Sequence, residues 1–167
     1  MVKRLLIVCL IALPVIQVSG QEKARPNKQE IIDLMVQGRQ MASADRDSAL
    51  ANWQDPSASK AIRADFMKCT GLAYLGNYKA QAYVAASYEK AIGIVEDQLE
   101  SYVWYAIAHE NAGADKAAKE KIQASRARVY EKLHSVYPAP SDEDLEDLVK
   151  AQKNRIAQYQ EEANKTK

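Results

Sequence analysis

Apolar residues recur along most of the chain at the three-to-four-residue spacing of amphipathic helices. The first such stretch places six small or apolar residues on one face: Ile31, Leu34, Met35, Gly38, Met41 and Ala42. A second helix is predicted to begin at Asp55-Pro56, an N-cap followed by proline at the first helical position. It runs through Ile62, Phe66 and Cys69 and stops at Gly76-Asn77.

Three further breaks divide the remaining sequence into four helices. One helix is predicted over residues 79–91 and another from the Asp97 cap to Gly113. A long helix follows from Ala114 to the proline break at 138–140, and its apolar face comprises Ala118, Ile122, Val129, Leu133 and Val136. Ser141 and Asp144 then form a capping box. The last helix has the apolar face Leu145, Leu148, Val149, Gln152, Ile156 and Tyr159. No stretch alternates convincingly between apolar and polar residues, so the predicted fold class is all-α.

Residues 1–20 have the pattern of a secretory signal peptide. Lys3 and Arg4 precede an apolar run over residues 5–16, and Ser19-Gly20 offer a cleavage site before Gln21. As a helix this run would span about 18 Å, less than the roughly 30 Å of a bilayer core. We therefore expect an exported, periplasmic protein without stable membrane insertion after cleavage. The alternative is an uncleaved anchor.

Composition fits one globular domain over residues 21–163, followed by a polar, flexible tail at 164–167. The chain has 167 residues, of which 47% are hydrophobic and 27% charged. Its 23 basic and 22 acidic residues nearly balance, so the chain lacks the excess of positive charge that is typical of nucleic-acid-binding proteins. Cleavage would leave Cys69 as the lone cysteine, so we expect it to be buried, or else free for an intermolecular bond.

A helical repeat is visible when the chain is compared with itself. Gly76-Asn77-Tyr78-Lys79-Ala80 aligns with Gly113-Ala114-Asp115-Lys116-Ala117, which suggests stacked α-hairpins. The best-formed unit, residues 80–113, resembles the Sel-one-like repeat, a relative of the tetratricopeptide repeat. The matching positions are Ala80, Val84, Ala85, Tyr88, Gly93-Ile94, Asp97, Ser101, Trp104-Tyr105, Ala108 and Gly113. The sequence departs from that pattern where Lys90 or Ala91 replaces a glycine, Ser101 an alanine and His109 an alanine.

The resemblance implies a short α-hairpin array, an α/α superhelix with long terminal helices, that binds another protein as an adaptor or scaffold in the cell envelope. It implies structural roles for Gly93, Asp97, Trp104, Tyr105 and Gly113. Nine tyrosines against one phenylalanine also suit a binding surface. The predicted partner-binding residues, on the first-helix face expected to line the concave side, are Gln81, Tyr83 and Ser87.

The sequence contains only weak motifs for catalysis or metal binding. His109-Glu110 lacks a second histidine one turn later, and the acidic run at 142–147 suits a helix N-terminus better than a calcium loop. We predict no catalytic residue, cofactor or metal. Lys121, Arg126, Arg128 and Lys132 are interrupted by Glu120 and Glu131, which favours a solvated helix face. Two alternatives stay open: a β-lactam-binding or hydrolysing enzyme of the same repeat family, whose paired cysteines are missing here, and a structural subunit of an envelope complex.

Overall fold

The computed structural model describes residues 24–136 and 138–166, and within them it confirms the all-α fold. The predicted signal peptide, residues 1–20, lies outside the described residues. The helices are α1 (Lys28–Gln40), α2 (Ser43–Leu50), α3 (Ile62–Tyr74), α4 (Tyr78–Lys90), α5 (Gln98–Asn111), α6 (Lys116–His134) and α7 (Asp142–Lys165). A 3₁₀ turn, Pro56–Ala58, lies between α2 and α3.

Local capping chemistry fixes where most helices begin. The side chain of Asp97 accepts a hydrogen bond from the Glu100 amide at the start of α5. Ser141 and Asp144 form the predicted capping box of α7. The side chain of Asn77 accepts a hydrogen bond from the Ala80 amide at the start of α4. These bonds satisfy backbone N–H groups that have no partner inside the helix, so the start signals could be recognised from the sequence alone.

The helix predicted to start at Asp55-Pro56 was placed too early. Asp55 caps only the short turn Pro56–Ala58, which ends because Ser59 has an extended backbone. The Ser59 hydroxyl accepts a hydrogen bond from the Ala61 amide and donates one to Asp65, 2.5 Å away. These bonds hold the chain in a second turn, so the regular helix begins at Ile62.

Three expectations near the C-terminal end were wrong. Helix α7 continues to Lys165, so residues 164 and 165 are helical rather than part of a separate tail. Val136 follows the end of α6 and is 58% exposed, and Leu148 is 40% exposed. The end of α7 is attached to α1, because Lys28 pairs with Glu162 at 2.8 Å and Arg39 donates a hydrogen bond to the Ala163 carbonyl.

Packing follows chain order until the last helix. Helix α1 packs on α3, α3 on α4, α4 on α5 and α5 on α6. Short connections make α4 and α6 both antiparallel to α5, so these two helices run in the same direction. Helix α7 instead returns to pack on α1 and α5, with a smaller contact to α3.

Helix α4 lies at the centre of this arrangement. It is covered by α3 and α5, and also by α2 and the turn Pro56–Ala58. Residues Ala80 to Glu89 are all buried as a result. Because these ten residues are buried, α4 itself offers little surface to a partner.

Candidate functional site

The three residues predicted to contact a partner are inside the protein, so that prediction was wrong. Gln81, Tyr83 and Ser87 are each 0% exposed. Gln81 donates a hydrogen bond to the Ala73 carbonyl and accepts one from Asn111, both at 3.0 Å. The covering by α2 and the turn Pro56–Ala58 is the physical reason for their burial, because it closes the α4 face that an open array would expose.

The predicted structural residues at helix ends occupy special backbone positions. Gly93 and Gly113 have φ angles of +73° and +54°, a region that side chains other than glycine disfavour. A Cβ on Gly93 would also lie 3.2 Å from the Ile62 carbonyl oxygen. Asp97 caps α5, as described above. These three residues shape the two connections that flank α5.

Trp104 and Tyr105 contact different neighbouring helices from α5, and both are buried. The Trp104 ring meets Tyr74 edge-on, with the ring centroids 5.2 Å apart. The Tyr105 hydroxyl donates a hydrogen bond to Glu89 Oε2 at 3.1 Å. Trp104 therefore joins α5 to α3, whereas Tyr105 faces the side where α4 and α6 approach each other.

An open groove lies between α4 and α6, on the side of α5 that carries Tyr105. Its volume is about 410 Å³. We call it the basic groove, and its lining residues are Trp53, Gln54, Ala82, Lys90, Tyr105, Lys121, Ile122, Ala124, Ser125 and Arg128. They come from α4, α5, α6 and the chain that follows α2, so four parts of the fold build one concave surface.

The floor of the basic groove is apolar and already packed. Ala82, Tyr105 and Ile122 are buried members of the hydrophobic core. Trp53 is half-buried and meets Tyr78 edge-on, with the ring centroids 6.5 Å apart. Because the floor side chains are fixed by the core beneath them, a bound segment would meet a surface that requires little reordering.

The rim of the basic groove carries charge of one sign. Lys90, Lys121 and Arg128 line it, and no carboxylate is among its lining residues. Lys90 lies 3.5 Å from Asp55, an exposed carboxylate just outside the lining. None of the ion pairs within residues 24–136 and 138–166 involves Lys121. The Lys121 ammonium is also exposed, so it is available to an incoming anion.

At one end of the groove, Glu89 of α4 contacts side chains of both α5 and α6. Arg128 donates two hydrogen bonds to it, at 2.7 and 3.0 Å, and Lys132 lies 3.8 Å away. Burial would raise the pKa of the Glu89 carboxyl, but the hydrogen bonds and charges of its partners outweigh burial and hold that pKa below its ordinary value. Burial also raises the pKa of Tyr105. The network fixes Arg128 in place and joins α4, α5 and α6.

A second cleft, between α6 and α7, differs in character. Its volume is about 430 Å³, and Tyr102, Ala106, Leu145 and Val149 supply its apolar surface. Its charged lining residues have both signs: Arg126, Lys150 and Lys153, with Glu110 and Glu146. Lys153 and Glu110 already pair across it at 2.5 Å. This cleft has no preference for a charge type, whereas the basic groove does.

The described residues present little else that suggests chemistry. Cys69 is buried as expected, and burial raises the pKa of its thiol to about 12, so the thiol stays protonated at neutral pH. No group of three or more His, Cys, Asp and Glu side chains in the described part of the chain is placed to hold a metal ion. None of the described helices combines the length and apolar character that crossing a membrane requires.

Comparison with known proteins gives no family to transfer a function from. No family model matches the chain, and neither the curated proteins nor the solved structures contain a significant match. The basic groove is therefore the feature on which a functional argument can be built.

Proposed function

We propose that this protein is an exported, non-catalytic adaptor or scaffold of the cell envelope that binds a segment of another protein in the basic groove. The signal-peptide pattern of residues 1–20 supports export, and the likeness of residues 80–113 to a protein-binding repeat supports the adaptor role. Neither feature names the partner.

The observation that carries the proposal is the preformed floor of the groove. Ala82, Tyr105 and Ile122 belong to the core and form the rigid bottom of a depression that is open to solvent. The more exposed lining residues Trp53 and Ala124 supply its accessible apolar surface. An extended or helical segment could place apolar side chains on this floor without first ordering the receptor. A depression of this kind between two parallel helices is suited to a peptide segment.

Site-specific photocrosslinking in the native cell envelope tests this proposal. A crosslinking amino acid at Ala124, on the exposed groove wall, is expected to capture a discrete protein partner. The same crosslinking amino acid at Ala157, an exposed residue of α7 outside the groove, is not expected to capture this partner.

A neutral blocking substitution supplies the control. Ser125→Trp fills the groove without changing charge and is expected to abolish the crosslink from Ala124, whereas Ala157→Trp leaves it intact. Circular dichroism verifies that both variants fold. The proposal fails if folded protein gives the same crosslinks from both positions, or if the crosslink from Ala124 survives Ser125→Trp.

A further inference from the structure

The charge distribution around the basic groove indicates what kind of segment it accepts. Resting on the proposed function, we propose that the bound segment is an acidic stretch of a partner protein, in which two carboxylates flank apolar side chains. The carboxylates pair with Lys121 and Lys90, and the apolar side chains pack against the accessible apolar lining residues Trp53 and Ala124.

The local charge of the groove differs from the overall charge of the chain. The whole chain has a formal net charge of +1. Against this near-neutral background, the groove has three lining cations and no lining carboxylate, whereas the cleft between α6 and α7 has both signs. Lys90 and Arg128 pair with Asp55 and Glu89 beside the lining, so Lys121 is the lining cation without an ion pair among the described residues. An apolar floor beside the cations lowers the local dielectric constant and strengthens attraction to an anion.

The lining cations lie at the two ends of the groove. Lys90 is the last residue of α4, and Lys121 lies near the start of α6. Because the two helices run in the same direction, these lysines mark opposite ends and opposite walls. Arg128 lies near Lys90, since both neighbour Glu89, and it is two helical turns, or about 10 Å, beyond Lys121.

This spacing fits an extended peptide. Three residues of extended chain also span about 10 Å, and side chains three positions apart point to opposite sides. Carboxylates at the first and fourth positions could therefore reach Lys121 on one wall and Lys90 on the other. The two intervening residues cross between these walls with their side chains pointing to opposite sides, where the more accessible lining residues Trp53 and Ala124 favour apolar side chains.

The apolar floor also favours a protein segment over a nucleic acid. A phosphate backbone would satisfy the cations but would leave the floor without an apolar partner. With 23 basic and 22 acidic residues, the chain also lacks the excess of positive charge that accompanies nucleic-acid binding.

A direct binding measurement tests the inference with a defined probe. The probe is the fluorescein-labelled peptide Gly-Ser-Asp-Leu-Leu-Asp-Ser-Gly, and the receptor is the chain from Gln21 onward. Comparison peptides carry Asn or Lys in place of both Asp residues. Fluorescence anisotropy at low ionic strength is expected to show binding of the Asp peptide, with about tenfold weaker binding of the Asn peptide and none of the Lys peptide.

Charge reversal in the protein tests whether the peptide binds beside Lys121. Lys121→Glu is expected to weaken binding of the Asp peptide by about tenfold or more. Lys116→Glu makes the same change in charge on the same helix, outside the groove lining, and is expected to have less than a twofold effect. Raising the salt concentration should weaken binding to the native chain more than binding to Lys121→Glu.

Several outcomes would overturn the inference. The inference fails if the Asp and Asn peptides bind equally, or if no peptide binds. It also fails if the two charge reversals have equal effects, or if an oligothymidine of eight nucleotides binds more tightly than the Asp peptide. The photocrosslink from Ala124 separates this failure from that of the proposed function. If a partner is still captured, the groove binds protein but does not select acidic segments. If none is captured from folded protein, the proposed function fails as well.

Discussion

At the residue scale, Ala91 shows how a local departure from the repeat pattern affects the backbone. It ends α4 in the left-handed conformation, with φ of 56° and ψ of 37°, which costs an alanine about 1–2 kcal/mol. Glycine adopts this conformation freely but loses more entropy on folding. We therefore expect Ala91→Gly to raise the free energy of unfolding by about 0.5–1 kcal/mol, measured by urea denaturation.

A second helix end provides the control for Ala91→Gly. Ala112 follows α5 with a right-handed backbone, at φ of −66°, so glycine has no conformational advantage there. Ala112→Gly is expected to lower the free energy of unfolding by about 1 kcal/mol. If both variants lose similar stability, Ala91 does not have the left-handed conformation in solution.

Individual residues also show which features the sequence could predict. The cap at Asp97 and the glycine at position 93 were recognisable because they satisfy needs of the adjoining backbone. The burial of Gln81, Tyr83 and Ser87 was not, because it depends on elements far along the chain. The repeat resemblance placed them on a concave face, but α2 and the turn Pro56–Ala58 cover that face.

At the scale of elements, α1 and α3 approach closely at Gly71. A Cβ on Gly71 would lie 2.4 Å from the Leu34 carbonyl oxygen, so the two helix backbones would have to move apart. This strain outweighs the higher helix propensity of alanine. We expect Gly71→Ala to lower the free energy of unfolding by about 1–3 kcal/mol, measured by thermal or urea denaturation.

Gly38 in α1 is the matched control for Gly71. A Cβ there would lie closest to the flexible ends of Leu72 and Leu75, at 3.4 and 3.2 Å, and its nearest backbone neighbour, the Gly71 carbonyl carbon, is at an ordinary contact distance of 3.9 Å. Gly38→Ala is therefore expected to change the free energy of unfolding by less than about 0.5 kcal/mol. Equal losses in both variants would mean that the α1–α3 contact is looser than the structure shows.

The missed element α2 explains why the basic groove was not found from the sequence. Ala42 precedes α2 and makes no side-chain cap bond, so the sequence carries no start signal there. Without α2, Trp53 and Gln54 could not be placed beside α4. Lys121 and Arg128 were noticed, but Glu120 and Glu131 suggested a solvated face. The structure places neither glutamate in the groove lining.

At the scale of the whole molecule, α7 joins parts of the chain that are distant in sequence. In an open repeat array each helix contacts only its neighbours, so a change in the last helix stays local. Here Tyr159 stacks on Tyr74 at 5.5 Å between ring centroids, and Lys28 lies 5.6 Å from the Tyr159 ring. The last helix is therefore coupled to α1 and α3.

This coupling makes a prediction for Tyr159→Ala. The substitution removes a half-buried ring and its stacking interaction with Tyr74, so it is expected to lower the free energy of unfolding by about 2 kcal/mol. Hydrogen exchange should accelerate not only in α7 but also in α1, at the other end of the chain.

Leu148→Ala serves as the control for Tyr159→Ala on the same helix. Leu148 is exposed, so its removal is expected to change stability by less than about 0.5 kcal/mol and to leave exchange in α1 unaltered. If Tyr159→Ala accelerates exchange only within α7, the helix adds to the array without closing it. If α1 responds, the helices form one cooperative unit, and the floor of the basic groove is stabilised by the whole fold rather than by α4, α5 and α6 alone.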